Sequence, residues 1–205
     1  LPVAHRQLNY YFYSMRYIFC TALFMVLTGY SSNCLAQVLP SAKNANIQTI
    51  NLYKNLHALK GKAVLFGHQD ALAYGVNWRY ENDRSDIKDV TGEHPAVYGW
   101  DVGGLEMGNE NNLDGVPFKK MRTYIKQVYD RGGINTISWH ARSPLGAEKG
   151  SWDTTHGTVI SILPGGANHN VYKSWLDKLA LFFKSLKGNQ GELIPILFRP
   201  YHEHT

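Results

Sequence analysis

Four short apolar segments, each followed by polar or aromatic residues, constrain the fold of this chain most strongly. They lie at 63–66, 95–98, 134–138 and 193–198. A segment that is apolar on both faces is typical of a parallel strand covered by helices. Because helical stretches separate these segments, the order of elements predicts an α/β fold with about four parallel strands joined by right-handed crossovers.

Helices are predicted at 46–59, 117–129 and 171–186, where apolar side chains recur at helical spacing. The three apolar stripes are Ile47, Ile50, Leu56 and Leu59; Phe118, Met121, Ile125 and Val128; and Val171, Trp175, Leu179, Phe182 and Leu186. We expect such stripes to pack against the sheet rather than to line a ligand site. Gly61, Gly132 and Gly188 follow the helices where C-terminal caps are expected.

The first 36 residues predict export. In 15–36, Arg16 precedes an uncharged run from Tyr17 to Tyr30 with an apolar centre at 18–27, and small residues follow at 34–36, as in a secretory signal peptide. The stretch is shorter than the roughly 20 residues needed to span a membrane. We therefore predict an erroneously assigned upstream segment at 1–14, a signal peptide at 15–36 and a mature region at 37–205. The expected location is secreted, periplasmic or on the cell surface, without stable membrane insertion.

Charge and cysteine content exclude two other classes of protein. The net charge is +5, but the 21 basic and 16 acidic residues are intermixed, so a nucleic-acid partner is not predicted. Both cysteines, Cys20 and Cys34, lie in the predicted signal peptide. We therefore expect no disulfide in the mature region.

Polar and aromatic side chains follow all four predicted strands. In a parallel barrel, the carboxyl ends of the strands collect such residues around one pocket. The candidates are His68, Gln69, Asp70, Trp100, Asp101, Trp139, His140, Arg142, Arg199, His202 and Glu203. Partial burial beside His202 would keep Glu203 protonated and make it a proton donor. Trp100, Trp139 and Trp152 are predicted to be exposed aromatics that stack on sugar rings, with packing in the barrel as the alternative for Trp100 and Trp152.

Four ordered motifs carry a resemblance to a known family. The sequence Leu-Phe-Arg-Pro-Tyr-His-Glu-His-Thr at 197–205 resembles the acid/base motif of glycoside hydrolase family 26. Phe-Gly-His-Gln-Asp at 66–70, Tyr-Gly-Trp-Asp at 98–101 and Ser-Trp-His at 138–140 are similar to the first three strand ends of that family. The resemblance extends over about 46–205.

This resemblance implies a (β/α)8 TIM barrel and a retaining mechanism. Glu203 would be the acid/base and His202 would orient the nucleophile, which we expect to lie outside this chain. His140 would line the subsite of the cleaved sugar, and Trp152 is a weaker candidate for stacking there. The predicted substrate-binding residues are His140, Trp139, Trp152, Trp100 and His68, with no metal and no cofactor.

The expected activity is hydrolysis of internal β-1,4-mannosidic linkages in mannan, galactomannan or glucomannan, by a monomer. The 205 residues correspond to the N-terminal half of such a barrel, and we expect them to be inactive alone. Mixed-linkage β-glucan and β-1,3-xylan are alternative substrates. Two other classes remain open: a non-catalytic mannan-binding pseudoenzyme, and a metal-dependent amidohydrolase-like barrel whose ligands would be His68, His140, His202 and His204.

Overall fold

The computed structural model describes residues 39–40, 42, 44–146 and 155–201. The helices in these ranges are α1 Ile47–Leu59, α2 Asp86–Thr91, α3 Phe118–Asp130, α4 Thr158–Ile162 and α5 His169–Ser185. The strands are β1 Gly67–Gln69, β2 Tyr74–Gly75, β3 Trp78–Arg79, β4 Val97–Asp101, β5 Ile134–Ser138 and β6 Ile196–Arg199.

The main sheet contains four parallel strands in the order β1-β4-β5-β6. Its order follows the chain, as expected when each strand is connected to its neighbour by a crossover. The predicted α/β class with four parallel strands is confirmed. The antiparallel hairpin formed by β2 and β3, and the short helices α2 and α4, were not predicted.

Three of the predicted strands begin later than expected. The strand predicted at 95–98 is β4, which starts at Val97 and extends to Asp101. The predicted strand at 63–66 is wrong, because β1 starts at Gly67, which pairs with Val97 at the start of β4. Before Gly67, the carbonyl of Phe66 accepts hydrogen bonds from the backbone N–H groups of Ala96 and Val97, and Val64 is 96% exposed. Likewise β6 starts only at Ile196, where its pairing with β5 begins. In contrast, β5 has the predicted boundaries.

The two faces of the sheet have different environments. On one face, the Trp100 ring lies 6.0 Å from the Tyr124 ring of α3, and Phe198 contacts Phe183 of α5. We call this the helix-covered face. Because successive residues of a strand point to opposite faces, Asp101 lies on the other face, which we call the polar face. Its last row across the sheet is Asp101, Ser138 and Arg199.

Helices α3 and α5 pack as their apolar stripes predict. The four stripe residues of α3 are buried, as are those of α5 except Val171, which is 41% exposed. In contrast, α1 buries none of its residues. Gly132 has the left-handed conformation expected after α3. The capping prediction for Gly188 is wrong, because α5 ends with Leu186 as its C-cap.

No helix in the described part of the chain is both long and apolar enough to cross a membrane.

Candidate active site

A hydrogen-bonded cluster lies at the carboxyl ends of β4 and β5 on the polar face. Asp101 Oδ2 accepts hydrogen bonds from Ser138 Oγ at 2.6 Å and from His140 Nδ1 at 2.8 Å. The Asp101 side chain is 3% exposed, whereas that of His140 is 26% exposed. Because a carboxylate only accepts hydrogen bonds, this contact places a proton on Nδ1 and fixes the tautomer and orientation of the ring.

The loop after β4 holds Asp101 from the other side. Asp101 Oδ1 accepts a hydrogen bond from the backbone N–H of Gly103 at 2.6 Å, and its carbonyl accepts one from Asn112 Nδ2 at 3.1 Å. Asn112 Oδ1 also accepts from the backbone N–H groups of Asp114 and Val116. The carboxylate of Asp101 is therefore fixed before any ligand arrives, as preorganised sites require.

Glu106 forms a second buried hydrogen-bonding centre in the same loop. Its side chain is fully buried. Oε2 accepts from Gly104 N at 2.9 Å and Trp139 Nε1 at 3.1 Å, and Oε1 accepts from Arg142 N at 3.0 Å. These donors replace the water lost on burial of the carboxylate. Glu106 thus holds in place the residues on both sides of His140 in the sequence.

Asp70, directly after β1, is a fully buried carboxyl group. Burial, followed by the negative charge of Asp114, raises the pKa of Asp70 to about 7. Tyr74 donates a hydrogen bond to Asp70 Oδ2 at 3.4 Å. Asp101 also contributes to raising the pKa of Asp70, so the first two strand ends are electrostatically coupled.

The end of β6 and the residues that follow it are held at two points. Arg199 Nε donates to Thr136 Oγ1 of β5 at 3.0 Å. The hydroxyl groups of Tyr201 and Tyr172 are 2.5 Å apart and hydrogen-bonded, and the Tyr172 ring stacks on Trp139. Burial raises the pKa of Tyr172 above its usual value. The ends of β5 and β6 therefore share one aromatic cluster, formed by Trp139, Tyr172 and Tyr201.

The structure brings some of the predicted site residues together and buries others away from them. His140 and Asp101 meet as expected. The prediction of an exposed stacking surface is wrong for Trp100, which is fully buried on the helix-covered face and donates to Asn135 Oδ1 at 2.8 Å. It is also wrong for Trp139, which is 2% exposed because Glu106 and Tyr172 cover it.

His68 does not join the cluster around His140. It pairs in register with Tyr98, two positions before Trp100 on β4, and therefore lies on the same, helix-covered face. Trp152, His202, Glu203 and His204 lie outside the described residues. In the ranges that the structure does describe, no group of three or more His, Cys, Asp or Glu side chains is placed to hold a metal ion.

Three residues with important contacts were missed in the sequence: Glu106, Asn112 and Tyr172. Asn112 had a usable signal, because Asn-x-Asp-Gly at 112–115 is typical of a turn closed by an asparagine side chain. Tyr172 lies beside the apolar stripe of α5, where it resembles a packing residue. Nothing in the local sequence distinguishes Glu106 from an exposed loop carboxylate.

A family model described as glycosyl hydrolase family 26 matches residues 41–205. This chain belongs to glycosyl hydrolase family 26. The resemblance inferred from the four motifs is therefore confirmed.

Named relatives of this family 26 chain are mannanases. The mannan endo-1,4-beta-mannosidase of Bifidobacterium adolescentis is 32% identical over 166 residues, which cover 79% of this chain and 16% of the relative. The enzyme of the same name from Bacillus subtilis strain 168 is 29% identical over 196 residues, covering 93% of this chain. The chain spans about half, 51%, of that relative's length.

Solved structures from family 26 share the fold of this chain. A β-mannanase from Bacteroides ovatus superposes with a TM-score of 0.76 at 44% identity, covering 78% of this chain and 47% of the mannanase. A modular endo-β-1,4-mannanase from Cellulomonas fimi gives a TM-score of 0.68 at 33% identity, covering 78% and 36%. With the four parallel strands, these matches confirm the predicted fold class, a partial barrel of the (β/α)8 type.

Proposed function

We propose that the protein carrying this chain is a retaining glycoside hydrolase that cleaves internal β-1,4-mannosidic linkages in mannan, galactomannan or glucomannan. The observation that carries the proposal is His140, fixed by Asp101 at the carboxyl end of β5, next to the strand that continues into His-Glu. Membership of family 26 and the mannanase names of the relatives support the substrate class.

In this proposal Glu203 is the acid/base. It lies four residues beyond Arg199, which pairs with Ser138 beside the Asp101–His140 cluster. Four residues of extended chain span at most about 14 Å, so the distance along the sequence is compatible with this assignment. Glu203 would protonate the leaving oxygen and then, as a base, activate water to release the sugar.

The remaining roles divide between described and undescribed parts of the chain. His140, held with its proton on Nδ1, lines the subsite of the cleaved sugar. We assign to His202 the orientation of the nucleophile, to Trp152 a stacking contact, and to sequence outside these 205 residues the nucleophile itself. Hydrolysis with retention of the anomeric configuration requires the carboxyl group of the nucleophile to lie about 5 to 5.5 Å from that of the acid/base.

The proposal includes the setting in which the enzyme works. A polymeric mannan substrate requires an exported enzyme, consistent with the signal-peptide pattern at 15–36. We propose a monomer that acts outside the cytoplasm without a cofactor.

Activity assays on the full-length protein test the substrate class. We expect release of reducing sugar from galactomannan and glucomannan, with an early fall in viscosity because internal bonds are cut. If the protein hydrolysed only mixed-linkage β-glucan or β-1,3-xylan, that polysaccharide and not mannan would be its substrate. Saturable mannan binding without hydrolysis would identify a binding protein, and activity lost on chelation and restored by metal would identify a metal hydrolase.

Variants of Glu203 test the mechanism. Glu203→Ala should lower kcat/KM on mannooligosaccharides by several orders of magnitude, because their leaving groups need a proton. The kcat/KM of the same variant on aryl β-mannosides with good leaving groups should fall much less. Glu93→Gln is a matched control, since this exposed carboxylate precedes β4 at the opposite end of the sheet. Near-normal oligosaccharide turnover by Glu203→Ala would refute the acid/base assignment.

A further inference from the structure

The hairpin formed by β2 and β3 donates two hydrogen bonds to the loop after β4. Arg79 Nη2 donates to the carbonyl of Asp114 at 3.0 Å, and the Tyr80 hydroxyl donates to the carbonyl of Gly115 at 2.9 Å. We call residues 112–116 the asparagine turn, because an asparagine side chain closes it. The hairpin therefore holds two consecutive carbonyl groups of this turn.

The hairpin is itself fixed in place. Asp86 of α2 accepts hydrogen bonds from Nε1 of the buried Trp78 at 2.5 Å and from the backbone N–H of Val76 at 2.9 Å. The Arg79 guanidinium lies 5.4 Å from the centroid of the Tyr80 ring. Tyr80 has a φ of 60°, a left-handed conformation that persists in a residue with a side chain only where surrounding contacts hold it. The hairpin can therefore act as a rigid support.

The asparagine turn connects the hairpin to His140 by two routes. Asn112 Nδ2 donates to the carbonyl of Asp101 at 3.1 Å, and Asp101 Oδ2 accepts from His140 Nδ1 at 2.8 Å. The second route is close packing. A Cβ added at Gly103 would lie 2.8 Å from Leu113 Cδ1 and 2.9 Å from the carbonyl oxygen of His140. The turn, the loop after β4 and the backbone of His140 therefore leave no room for another side chain between them.

The turn also places a charge near this hydrogen bond. Partial burial raises the pKa of Asp114, the negative charge of Asp101 raises it further, and His140 lowers it. The Asp114 carboxyl group is thus close enough to interact with both Asp101 and His140. A shift of the turn would change the charge as well as the contacts around the imidazole.

We propose that Arg79 and Tyr80 are positioning residues that hold the imidazole of His140 in its orientation, acting through the asparagine turn and Asp101. The expected effect on turnover rests on the proposed function, in which His140 lines the subsite of the cleaved sugar. A displacement of about 1 Å caused by a distant substitution can cost on the order of 100-fold in rate. Hydrogen bonds from the hairpin can therefore matter more for turnover than for stability.

The kinetic experiment uses Tyr80→Phe and Arg79→Met in the full-length protein, each alone and combined with His140→Ala. We measure kcat and KM on a mannooligosaccharide. Each hairpin variant should lower kcat about five- to tenfold and leave KM within about twofold, because the orientation of a group at the cleaved sugar matters most in the transition state. With His140→Ala, the same substitutions should change kcat/KM by less than about twofold, since the residue through which they act is gone.

A second measurement reports the orientation of His140 without depending on turnover. In protein with isotope-labelled histidine, solution NMR detects the proton on His140 Nδ1, which is assigned by its absence in His140→Ala. This proton should exchange with water at least about fivefold faster in Tyr80→Phe and Arg79→Met, because its hydrogen bond to Asp101 opens more often.

Two matched control variants lie away from the site. Tyr129→Phe removes a phenolic hydroxyl that hydrogen-bonds Glu192. Arg122→Met removes a guanidinium that donates to Ser185 Oγ and lies 4.7 Å from the centroid of the Phe182 ring, so it loses the same kinds of contact as Arg79→Met. Both controls should keep the kinetic constants and the exchange rate within about twofold of the wild type. Urea unfolding of all the variants separates a loss of stability from a loss of orientation.

The proposal is overturned if the His140 Nδ1 proton exchanges as slowly in both hairpin variants as in the wild type. It is also overturned if their kinetic losses persist in full with His140→Ala. Where turnover of His140→Ala is too slow to compare, the exchange rate alone decides. If exchange accelerates but His140→Ala cleaves mannan normally, the positioning role holds and the role of His140 in the proposed function fails. If His140→Ala is impaired while the hairpin variants are normal in both measurements, only the positioning role fails.

Discussion

Replacing Glu106 by glutamine tests whether its buried carboxylate organises the segment around His140. The carboxylate accepts three hydrogen bonds, from Gly104, Trp139 and Arg142. Glutamine has nearly the same shape, but one of its terminal atoms donates instead of accepting. In the best orientation, the amide oxygen keeps the two donors on Oε2, and the amide nitrogen faces the N–H of Arg142.

The expected cost follows from this geometry. One buried donor loses its charged acceptor, which costs about 1.5 to 3 kcal/mol. For a domain of this size, the melting temperature should then fall by roughly 4–10 °C. Glu106→Leu leaves all three donors without an acceptor and should cost about 4 kcal/mol or more. Glu110→Gln, an exposed carboxylate in the same loop, should stay within about 0.5 kcal/mol.

Urea unfolding of the full-length protein, followed by tryptophan fluorescence, measures these differences. The midpoint should fall with an unchanged slope, because the surface exposed on unfolding is the same. If Glu106→Gln matched Glu110→Gln within error, the carboxylate would not be the acceptor that orders this segment. If Glu106→Leu cost no more than Glu106→Gln, the count of three donors would be wrong.

Three further substitutions test other features of the fold. Because burial raises the pKa of Asp70 to about 7, the unfolded state ionises first and stability falls as pH rises from about 4 to 7. The difference in free energy of unfolding between Asp70→Asn and the wild type should therefore shift in favour of the variant by up to about 4 kcal/mol from pH 4 to pH 8, as measured by urea unfolding at each pH. A difference that does not change with pH would contradict this. A hydrogen bond from Lys88 lowers the pKa of Asp83 to about 2. The stabilisation of the folded state by the ionised Asp83 is therefore fully present above about pH 4 and is lost as the pH falls through 2. Since Asp83 is half exposed, Asp83→Asn should cost under about 1 kcal/mol, and less in 1 M salt, when unfolding is compared at both salt concentrations. Trp100→Phe, which leaves Asn135 Oδ1 without its donor, should cost about 2 kcal/mol in urea unfolding and leave KM for mannan unchanged. A large increase in KM would instead indicate a direct contact with sugar.

The elements predicted correctly from the sequence are those that depend on the local periodicity of apolar residues. The stripe of α3 and the left-handed Gly132 after it agree with the structure, because helix amphipathicity and its C-terminal cap are encoded within one turn. The boundaries of β5 were also predicted, whereas β4, which likewise lies between two strands, begins at Val97 rather than at 95 and extends to Asp101. The prediction of a strand at 63–66 failed because backbone hydrogen bonds to the segment that enters β4 begin only at the carbonyl of Phe66, and sequence composition does not show where such pairing starts.

The site was predictable where one residue follows a strand directly. His140 and Asp101 lie at strand ends, and the parallel arrangement brings them together. Trp100 was mispredicted although strand alternation already places it on the face opposite to its neighbour Asp101. Glu106 could not be predicted, because its burial depends on donors supplied by residues up to 36 positions away.

The contact between Asp101 and Ser138 makes the candidate site sensitive to strand register. These two residues are direct partners across β4 and β5, and their side chains share a hydrogen bond. A slip of one residue would send one side chain to the opposite face, and a slip of two would separate them by nearly 7 Å along the strand. The imidazole of His140 is thus aligned only in correctly paired molecules, and in a refolding mixture recovered turnover would count those molecules rather than all compact ones.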